Sequence, residues 1–327
     1  MISTPLKTYA LALLLSVSPA QVGDEAKIGL KRPSDWVFDL FQEHPETAIT
    51  DLVLPGTHDS GSYKITASSP SAPDAPAIYS QFRGVAASWS KTQDRDLKQQ
   101  LLDGTRYLDL RVDLYEGELV LIHGLVSCPL KEELLGVREF VRKHPREPVI
   151  LDIQDMPPRS AHDALDGLLT ELFEEHLYQA KGAPRSWSLN SVWKSRKSLI
   201  TLTPDDAFAR RGARYQQRKV LDSVWTNTRE LEDLRRGLDA RIGARDRSKL
   251  QCAYLTFTPK HETIAADKLR GGRGLLGLST PLFELPGAWL PRWLDAGFRP
   301  NIVSVDFYER TDLVSAVIAA NQRLLAR

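Results

Sequence analysis

The chain has 327 residues with 43 basic and 42 acidic side chains, and Lys7 is the only charged residue among the first twenty. The rest of the chain is therefore balanced in charge, which argues against bulk nucleic-acid binding and against strong adhesion to anionic membranes. Cys128 and Cys252 are too few for a structural zinc site of their own. In a secreted protein they could form a disulfide, or both could be buried and free.

The N terminus predicts a signal peptide. Residues 1–20 place Lys7 ahead of an apolar run from Tyr9 to Val17, and the small residues Ser18 to Ala20 suit cleavage. The apolar run is too short to anchor the chain in a bilayer. We therefore expect secretion, to an extracellular or periplasmic location. The remaining residues 21–327 could form two domains, but a single catalytic domain fits their length equally well and is the prediction here. An amphipathic first helix is the alternative interpretation.

Short apolar segments alternate with amphipathic segments along the chain, a pattern that predicts a parallel sheet covered on both faces. Eight such units suggest an α/β barrel of the (βα)8 type, whose functional groups lie at the C-terminal ends of the strands. The predicted strands are Ile49–Leu54, Tyr107–Val112, Leu119–Ile122, Pro148–Ile153, Ser198–Thr203, Val220–Val224, Gln251–Phe257 and Asn301–Phe307. The predicted helices are Pro33–Thr47, Gln93–Leu102, Leu134–Lys143, Ala161–Gln179, Arg229–Ala244 and Asp312–Leu325.

The first candidate site follows the first predicted strand. Pro55 and Gly56 are expected to end that strand. His58 and Asp59 come directly after this break, where an α/β enzyme usually places its functional groups. A turn in which Asp59 caps the next segment is the alternative interpretation.

A second cluster of polar side chains lies on the second and third predicted strands, which a turn at Glu116 and Gly117 joins. Asp109 and Arg111 share one face of the second strand, because side chains two residues apart point the same way. His123 follows the third strand. A structural ion pair between Asp109 and Arg111 is the alternative to a functional role, since a buried charge is costly unless it is paired.

Further candidates follow later strands. Asp306 lies near the end of the last predicted strand. An unpaired carboxylate buried there would cost free energy, so we expect it to pair with a neighbouring imidazole and to have a functional role. An N-cap or a salt bridge is the alternative role for this acid. Gln154 and Asp155 after the fourth strand, and Trp225 and Asn227 after the sixth, are candidates for substrate contact.

A segment rich in glycine and proline, Gly271 to Leu294, follows the seventh predicted strand and should lie on the active face. Its Trp289 and Trp293 predict contact with a membrane surface, because tryptophan favours the bilayer interface. Packing of these residues in the core is the alternative interpretation.

Three blocks of this sequence, LPGTHDSGS, WSKTQDRDLKQQLLDGTRYLDLRV and LVLIHG, resemble the X domain of phosphatidylinositol-specific phospholipase C, most of all in the single-domain bacterial enzymes and related X-domain proteins. The resemblance spans roughly Trp36 to Leu325 and implies a somewhat irregular barrel. It implies cleavage of phosphatidylinositol at a membrane surface to diacylglycerol and a cyclic inositol phosphate, which is then slowly hydrolysed. Glycosylated inositol anchors are a further candidate substrate, and we expect a monomer without a cofactor.

Cleavage of a phosphodiester by a neighbouring hydroxyl needs a base, an acid and a cation on the phosphate. The resemblance implies His58 as the base towards the inositol 2-hydroxyl and His123 as the acid towards the diacylglycerol oxygen. By the same analogy, Asp306 orients His58 and Asp59 orients His123. Arg111 offers the phosphate a fixed pair of donors.

No metal ion is expected. The calcium-dependent members of the family place an Asn after the first histidine and acidic residues on the second strand, and the corresponding positions here are Asp59, Asp109 and Arg111. A guanidinium cannot ligate calcium, and two carboxylates fall short of the oxygen ligands that calcium prefers unless water supplies most of them. Asp109 is then expected to position Arg111 or the inositol hydroxyls.

Two other functions fit parts of the pattern. A metal-dependent barrel phosphodiesterase, such as a glycerophosphodiesterase, would want several carboxylates around a divalent ion, and Arg111 argues against it. A non-catalytic lipid- or glycan-binding X-domain protein would have lost the acid–base pair, whereas His58 and His123 are both present.

Overall fold

The computed structural model describes residues 32–211, 215–269 and 271–327. Lys31–Arg327 folds as one unit. The predicted signal peptide lies outside the described residues. Within those residues, every helix is too short or too polar to cross a membrane.

The described residues form ten strands, eight of which make one sheet with parallel neighbours in the order β7-β6-β5-β2-β1-β10-β9-β8. The strands are β1 Leu54–Thr57, β2 Tyr107–Tyr115, β3 Glu118–His123, β4 Leu125–Pro129, β5 Val149–Asp155, β6 Leu199–Thr203, β7 Gln216–Gln217, β8 Leu221–Val224, β9 Leu250–Leu255 and β10 Ile302–Val305.

The sheet is rolled into a barrel. Tyr107 on β2 and Tyr254 on β9 are three strands apart in the sheet order, yet their hydroxyl oxygens lie 2.9 Å apart. β7 and β8 stand at the two ends of the order, and the described residues show no pairing between them. The prediction of an irregular α/β barrel is therefore confirmed, with the wall open between these two strands.

Strands β3 and β4 form an antiparallel ribbon outside the parallel sheet. Glu116 and Gly117 have positive φ angles of 50° and 85°, as in a two-residue hairpin turn, and such a turn can join only antiparallel strands. The inclusion of Leu119–Ile122 among the parallel strands was therefore wrong. The two-residue strand β7 takes its place in the sheet.

The first strand begins later than predicted, because Ile49–Asp51 is a turn of 3-10 helix and β1 continues through Pro55 and Gly56. A Cβ atom at Gly56 would lie 2.8 Å from a ring carbon of Tyr107 on the neighbouring strand. Gly56 therefore serves close packing between β1 and β2, and it does not end the strand. This shift places His58 directly after the last residue of β1.

Helices cover the sheet, and most begin or end within a few residues of their predicted positions. The predicted N-terminal helix is shorter, with only Trp36–Phe41 in α-helical conformation. Cys128 and Cys252 are both buried and free. The helices are α1 Trp36–Phe41, α2 Ile78–Gln81, α3 Arg83–Ser90, α4 Leu97–Leu102, α5 Leu130–Lys143, α6 His162–Phe173, α7 Leu189–Ser195, α8 Asp206–Ala209, α9 Leu231–Gly243, α10 His261–Leu269, α11 Leu275–Ser279, α12 Leu285–Asp295 and α13 Leu313–Leu325.

A buried ion pair lies at the opposite end of the strands from His58. Arg106, just before β2, contacts Glu147, just before β5, at 2.6 Å, and both side chains are almost fully buried. Glu147 also accepts hydrogen bonds from the backbone N–H groups of Val37 and Phe38 in α1. One carboxylate therefore joins the N-terminal helix to the strand starts, and its charge is compensated by a fully satisfied guanidinium.

Candidate active site

The turn after β1 carries His58 and Asp59 at the carboxyl end of the sheet. Asp59 has a φ of 42°, which is unusual for a residue with a side chain and must be held by its surroundings. The Ser60 hydroxyl oxygen accepts the N–H of Asp109 on β2 at 2.8 Å. A Cβ atom at Gly61 would lie 2.5 Å from the Leu121 side chain, so glycine is required where the turn crosses the β3–β4 ribbon.

His58 is held between two carboxylates. Its Nδ1 lies 2.8 Å from Asp306 Oδ1, and its Nε2 lies 3.1 Å from Asp59 Oδ2. Burial would lower the pKa of His58, but the charges of Asp59 and Asp306 outweigh burial and raise the pKa to about 9. His58 is therefore protonated in the free protein at neutral pH. Asp306 follows β10, and its second oxygen accepts a hydrogen bond of 3.5 Å from Ser279.

His123 ends β3 and lies on the other side of Asp59. Its Nε2 is 3.1 Å from Asp59 Oδ2, and its Nδ1 is 2.6 Å from the backbone oxygen of Ser90, the last residue of α3. Each ring nitrogen thus faces an acceptor, and a neutral imidazole could donate to only one of them. His123 is therefore held through both ring nitrogens, with Nε2 directed at the Asp59 carboxylate.

Arg111 on β2 is surrounded by three carboxylates. Its Nε lies 3.0 Å from Asp59 Oδ1 and 3.3 Å from Asp109 Oδ1, and its Nη1 lies 3.0 Å from Asp155 Oδ2. Burial would lower the pKa of Arg111, but these acids raise it further above its ordinary value. The guanidinium is therefore permanently charged, and its orientation is fixed from three sides.

The two inner carboxylates differ in protonation. Burial would raise the pKa of Asp59, but His123, His58 and Arg111 together lower it to about 2, so that Asp59 is ionised. Burial raises the pKa of Asp109 to about 7, against the attraction of Arg111. Asp59 is therefore the anion on which His58, His123 and Arg111 converge, while Asp109 carries less than a full charge near neutral pH.

The opposite wall of the site is aromatic and polar. The ring of Trp225 lies 5.1 Å from that of His58, and the ring of Tyr254 lies 5.7 Å from it. Arg218 pairs with the buried Asp152 at 3.0 Å. Asp152 also accepts a hydrogen bond of 2.6 Å from the hydroxyl of Tyr107, which connects this wall to the barrel interior.

Three residues of this wall, Arg218, Tyr254 and Asp152, were not among the predicted site residues. Tyr254 and Asp152 lie on predicted strands, and alternation along those strands could have placed them in the barrel interior. Arg218 lies in a short 3-10 segment between β7 and β8, and we find no local signal in the sequence that distinguishes it from surface arginines.

The four candidates for substrate contact have different surroundings. Asp155 pairs with Arg111, Gln154 donates a hydrogen bond to the hydroxyl of Tyr254, and Trp225 stands beside His58. The fourth, Asn227, is exposed and has a φ of 51°, which explains an Asn in this turn. Contact of these residues with a substrate stays a prediction.

The prediction that Trp289 and Trp293 contact a membrane was wrong. Both lie in α12, where they are 7% and 1% exposed. The indole N–H of Trp293 donates a hydrogen bond of 2.7 Å to Asp239 on α9. The segment forms a helix whose apolar residues are spaced to face the core, so the tryptophans pack inside the protein.

The comparisons with known proteins agree with this geometry. Residues 83–202 match the family model described as "Phosphatidylinositol-specific phospholipase C, X domain". The chain is 28% identical over 309 residues to "PI-PLC X domain-containing protein 2" of Mus musculus, covering 89% of this chain and 88% of that protein. It is also 28% identical over 262 residues to "Variant-surface-glycoprotein phospholipase C" of Trypanosoma cruzi, covering 71% of this chain and 68% of that protein.

The fold resembles that of a solved bacterial enzyme. The phosphatidylinositol-specific phospholipase C from Listeria monocytogenes superimposes with a TM-score of 0.64 at 17% identity, covering 88% of this chain and 98% of that one. At this identity the likeness concerns the fold alone. It agrees with the irregular barrel described above.

Proposed function

We propose that this chain is a phosphodiesterase of the X-domain family of phosphatidylinositol-specific phospholipase C, whose model matches residues 83–202, and that it cleaves phosphatidylinositol. The observation that carries the proposal is the convergence of His58, His123 and Arg111 on the Asp59 carboxylate. Two imidazoles and a fixed guanidinium at one point supply the base, the acid and the cation that the reaction needs.

The proposed reaction requires the neutral form of His58, which forms as the pH approaches its pKa of about 9. Nε2 of this neutral ring accepts the proton of the inositol 2-hydroxyl while its Nδ1–H stays bound to Asp306. The 2-oxygen attacks the phosphorus, and His123 gives its Nε2 proton to the departing diacylglycerol oxygen. The two imidazole rings are 6.2 Å apart between centroids, so both can reach one phosphodiester. Arg111 stabilises the charge that develops on the phosphate oxygens. The products are diacylglycerol and a cyclic inositol phosphate.

The wall of Trp225, Tyr254 and Arg218 supports an inositol ring as the substrate head group. Aromatic faces pack against the C–H faces of a sugar-like ring, while Arg218, held by the buried Asp152, offers hydrogen-bond donors to hydroxyl groups. We also propose that inositol carrying a glycan is accepted as a head group. Release of diacylglycerol from vesicles that contain glycosylated inositol anchors would test this.

We propose that catalysis requires no metal ion. One group of metal-ligand type exists among the described residues, formed by His58, Asp59 and Asp109. Arg111 contacts both of these acids, so a cation at this point would be repelled by a charge that is already present. Turnover should therefore survive excess EDTA. A rate that collapsed with EDTA and returned with calcium would contradict the role of Arg111.

Membrane contact is proposed at helices α2 and α3 instead of α12. A groove of about 340 Å³ lies between these helices and α10, lined by apolar side chains that include Tyr79, Val85 and Trp89. Ile78 and Phe82 on its edge are 59% and 47% exposed. The end of α3 accepts the hydrogen bond of His123 through Ser90, so this surface borders the catalytic cluster and can face the lipid layer that holds the substrate.

The membrane surface can be tested by replacing Ile78 and Phe82 together with serine. We expect partition onto phosphatidylinositol vesicles to weaken by about tenfold or more, because two apolar side chains no longer leave water on binding. Leu135→Ser is the matched control, since Leu135 is 44% exposed on a different helix, α5. Equal loss in both proteins would place the membrane contact elsewhere.

Secretion and a monomeric state are also proposed. Residues 1–20 have the pattern of a cleavable leader, and N-terminal sequencing of protein recovered outside the cytoplasm would test it. A mature chain that began at Met1 would contradict the proposal. Light scattering of the purified protein would test the monomer.

The function itself is tested by turnover of phosphatidylinositol vesicles. His58→Ala and His123→Ala should each reduce the rate by about 10²- to 10⁴-fold, the usual contribution of a general acid or base. His162→Ala is the control, because His162 is buried next to Phe208 on another part of the barrel. Near-normal activity of either site variant, or inactivity of the wild-type protein, would refute the proposal.

A further inference from the structure

Two residues between α3 and α4, Thr92 and Gln93, are fully buried beside the catalytic cluster and have no part in the proposed chemistry. They belong to the sequence block WSKTQDRD. A glutamine with no exposed surface is unusual, because its amide must find partners inside the protein. The identity of these partners shows what the residue does.

The Gln93 side chain joins the ends of two strands. Its Nε2 donates to the backbone oxygen of His58 at 2.9 Å and to the backbone oxygen of Val305 at 3.0 Å. Its Oε1 accepts the N–H of Tyr308 at 3.3 Å. Both donor hydrogens and the acceptor are therefore used, and all three partners lie within two residues of His58 or Asp306.

These contacts begin where the sheet ends. The last paired residues of β1 and β10 are Thr57 and Val305, so His58 and Asp306 lie just past the regular ladder. The residues that follow them, Asp59 and Phe307, have φ angles of 42° and 49°. Left-handed backbone in a residue with a side chain persists only where the surroundings enforce it.

Thr92 adds to this enforcement from the same segment. Its single hydroxyl hydrogen is shared between the backbone oxygens of His58 and Asp59, which lie 2.9 and 3.0 Å from Oγ1. Its own backbone oxygen accepts the N–H of Phe307 at 2.6 Å. Both left-handed turns are thus held by one short segment of chain.

We infer that Gln93 is a positioning residue for the reaction, because its amide ties the ends of β1 and β10 together and so keeps His58 paired with Asp306. The role of Gln93 in catalysis rests on the proposed function, whereas its effect on the pairing of His58 with Asp306 does not. The pairing itself can be measured without substrate, so the two can fail separately.

The first test is an NMR titration of His58 in the full chain. Gln93→Met keeps the length of the side chain and removes its hydrogen bonds. We expect the pKa of His58 to fall by about 1 or more towards 6.5, because the Asp306 charge moves away from the ring. Gln251→Met is the matched control, since Gln251 is equally buried and donates two hydrogen bonds at the opposite end of β9.

An unchanged His58 pKa in Gln93→Met, with a loss of thermal stability similar to that of Gln251→Met, would overturn the inference and leave Gln93 a structural residue. If Gln93→Met does not fold, Thr92→Val provides the same test. It removes one hydroxyl with little change in shape, and it should lower the His58 pKa in the same direction. No change in that variant would equally overturn the inference.

The second test is a double-mutant cycle with Asp306→Asn. Gln93→Met should lower kcat by about 10²-fold, with little change in KM, as expected when a catalytic group is misplaced by about 1 Å. In the Asp306→Asn background the same change should cost much less, because the pairing is already lost. Equal losses in both backgrounds would show that Gln93 does not act through this pair.

Discussion

Replacement of Asp59 by Asn is the most informative change in this site. The carboxylate contacts His58 and His123 at 3.1 Å and Arg111 at 3.0 Å. Asn keeps the size of the side chain and removes its charge. The change therefore separates the effect of the Asp59 charge from the effect of its side-chain size on packing in the turn.

The expected magnitude follows from the protonation of His58. A rise of its pKa from 6.5 to about 9 corresponds to about 3 kcal/mol of net attraction for the proton. Two adjacent carboxylates, Asp59 and Asp306, cause this rise against the effect of burial. Loss of one of them should lower the pKa of His58 by about 1 to 2, because a neighbouring opposite charge typically shifts a pKa by this much.

The assay is the pH dependence of kcat/KM on phosphatidylinositol, whose acid limb reports the base in the free enzyme. We expect this limb near pH 9 in the wild-type protein and at lower pH in Asp59→Asn. We also expect kcat to fall by about 10- to 100-fold, because Arg111 and His123 lose the group that orients them. Asp222→Asn, a change in an acid paired with Arg241 away from the site, is the control.

An acid limb that stayed in place in Asp59→Asn would refute this reasoning, even if activity were lost. It would mean that the limb reports another group, and that His58 is not the base. A limb that moved to higher pH would contradict the assigned charge of Asp59 directly.

Three further predictions concern stability. Glu147→Ala should lower the free energy of unfolding by about 3 to 5 kcal/mol in a denaturant titration, because it leaves the buried Arg106 charge unpaired; a loss below 1 kcal/mol would contradict this. Trp293→Ala should cost about 3 to 5 kcal/mol by the same method and leave vesicle partition unchanged, whereas weaker partition without destabilisation would restore the membrane role. The His58 pKa is 6.5 unfolded and about 9 folded, so its contribution of about 3 kcal/mol is present below pH 6.5 and lost as the pH rises through 9. His58→Ala should flatten the stability curve between these values, and an equally steep decline would argue against the raised pKa.

The positions of the candidate catalytic residues at strand ends could be predicted from the sequence, because each position depends only on the apolar strand just before it. His58, His123 and Asp306 each follow an apolar strand, and parallel strands bring their carboxyl ends together. The structure indeed brings all three within reach of Asp59 or of one another. Side-chain alternation likewise placed Arg111 on the correct face of β2.

The parts that the sequence did not reveal depend on contacts between distant segments. Arg218 meets Asp152 across 66 positions, and no local pattern encodes that meeting. Trp289 and Trp293 have the composition of a membrane-facing loop, but burial is decided by the helices α9 and α13 that pack around them. The role of Gln93 was also not evident from the sequence, because its partners His58 and Val305 become adjacent only when the first and last strands pair.

The most direct test of the account is phosphorus NMR of the water-soluble product released from phosphatidylinositol vesicles in excess EDTA. If His58 removes the proton of the inositol 2-hydroxyl and His123 protonates the leaving oxygen, a cyclic inositol phosphodiester should form first, and an acyclic monoester should follow only slowly. An acyclic monoester that formed from the start would show that water, and not the 2-hydroxyl, attacks the phosphorus. Such a result would contradict the roles assigned to both histidines.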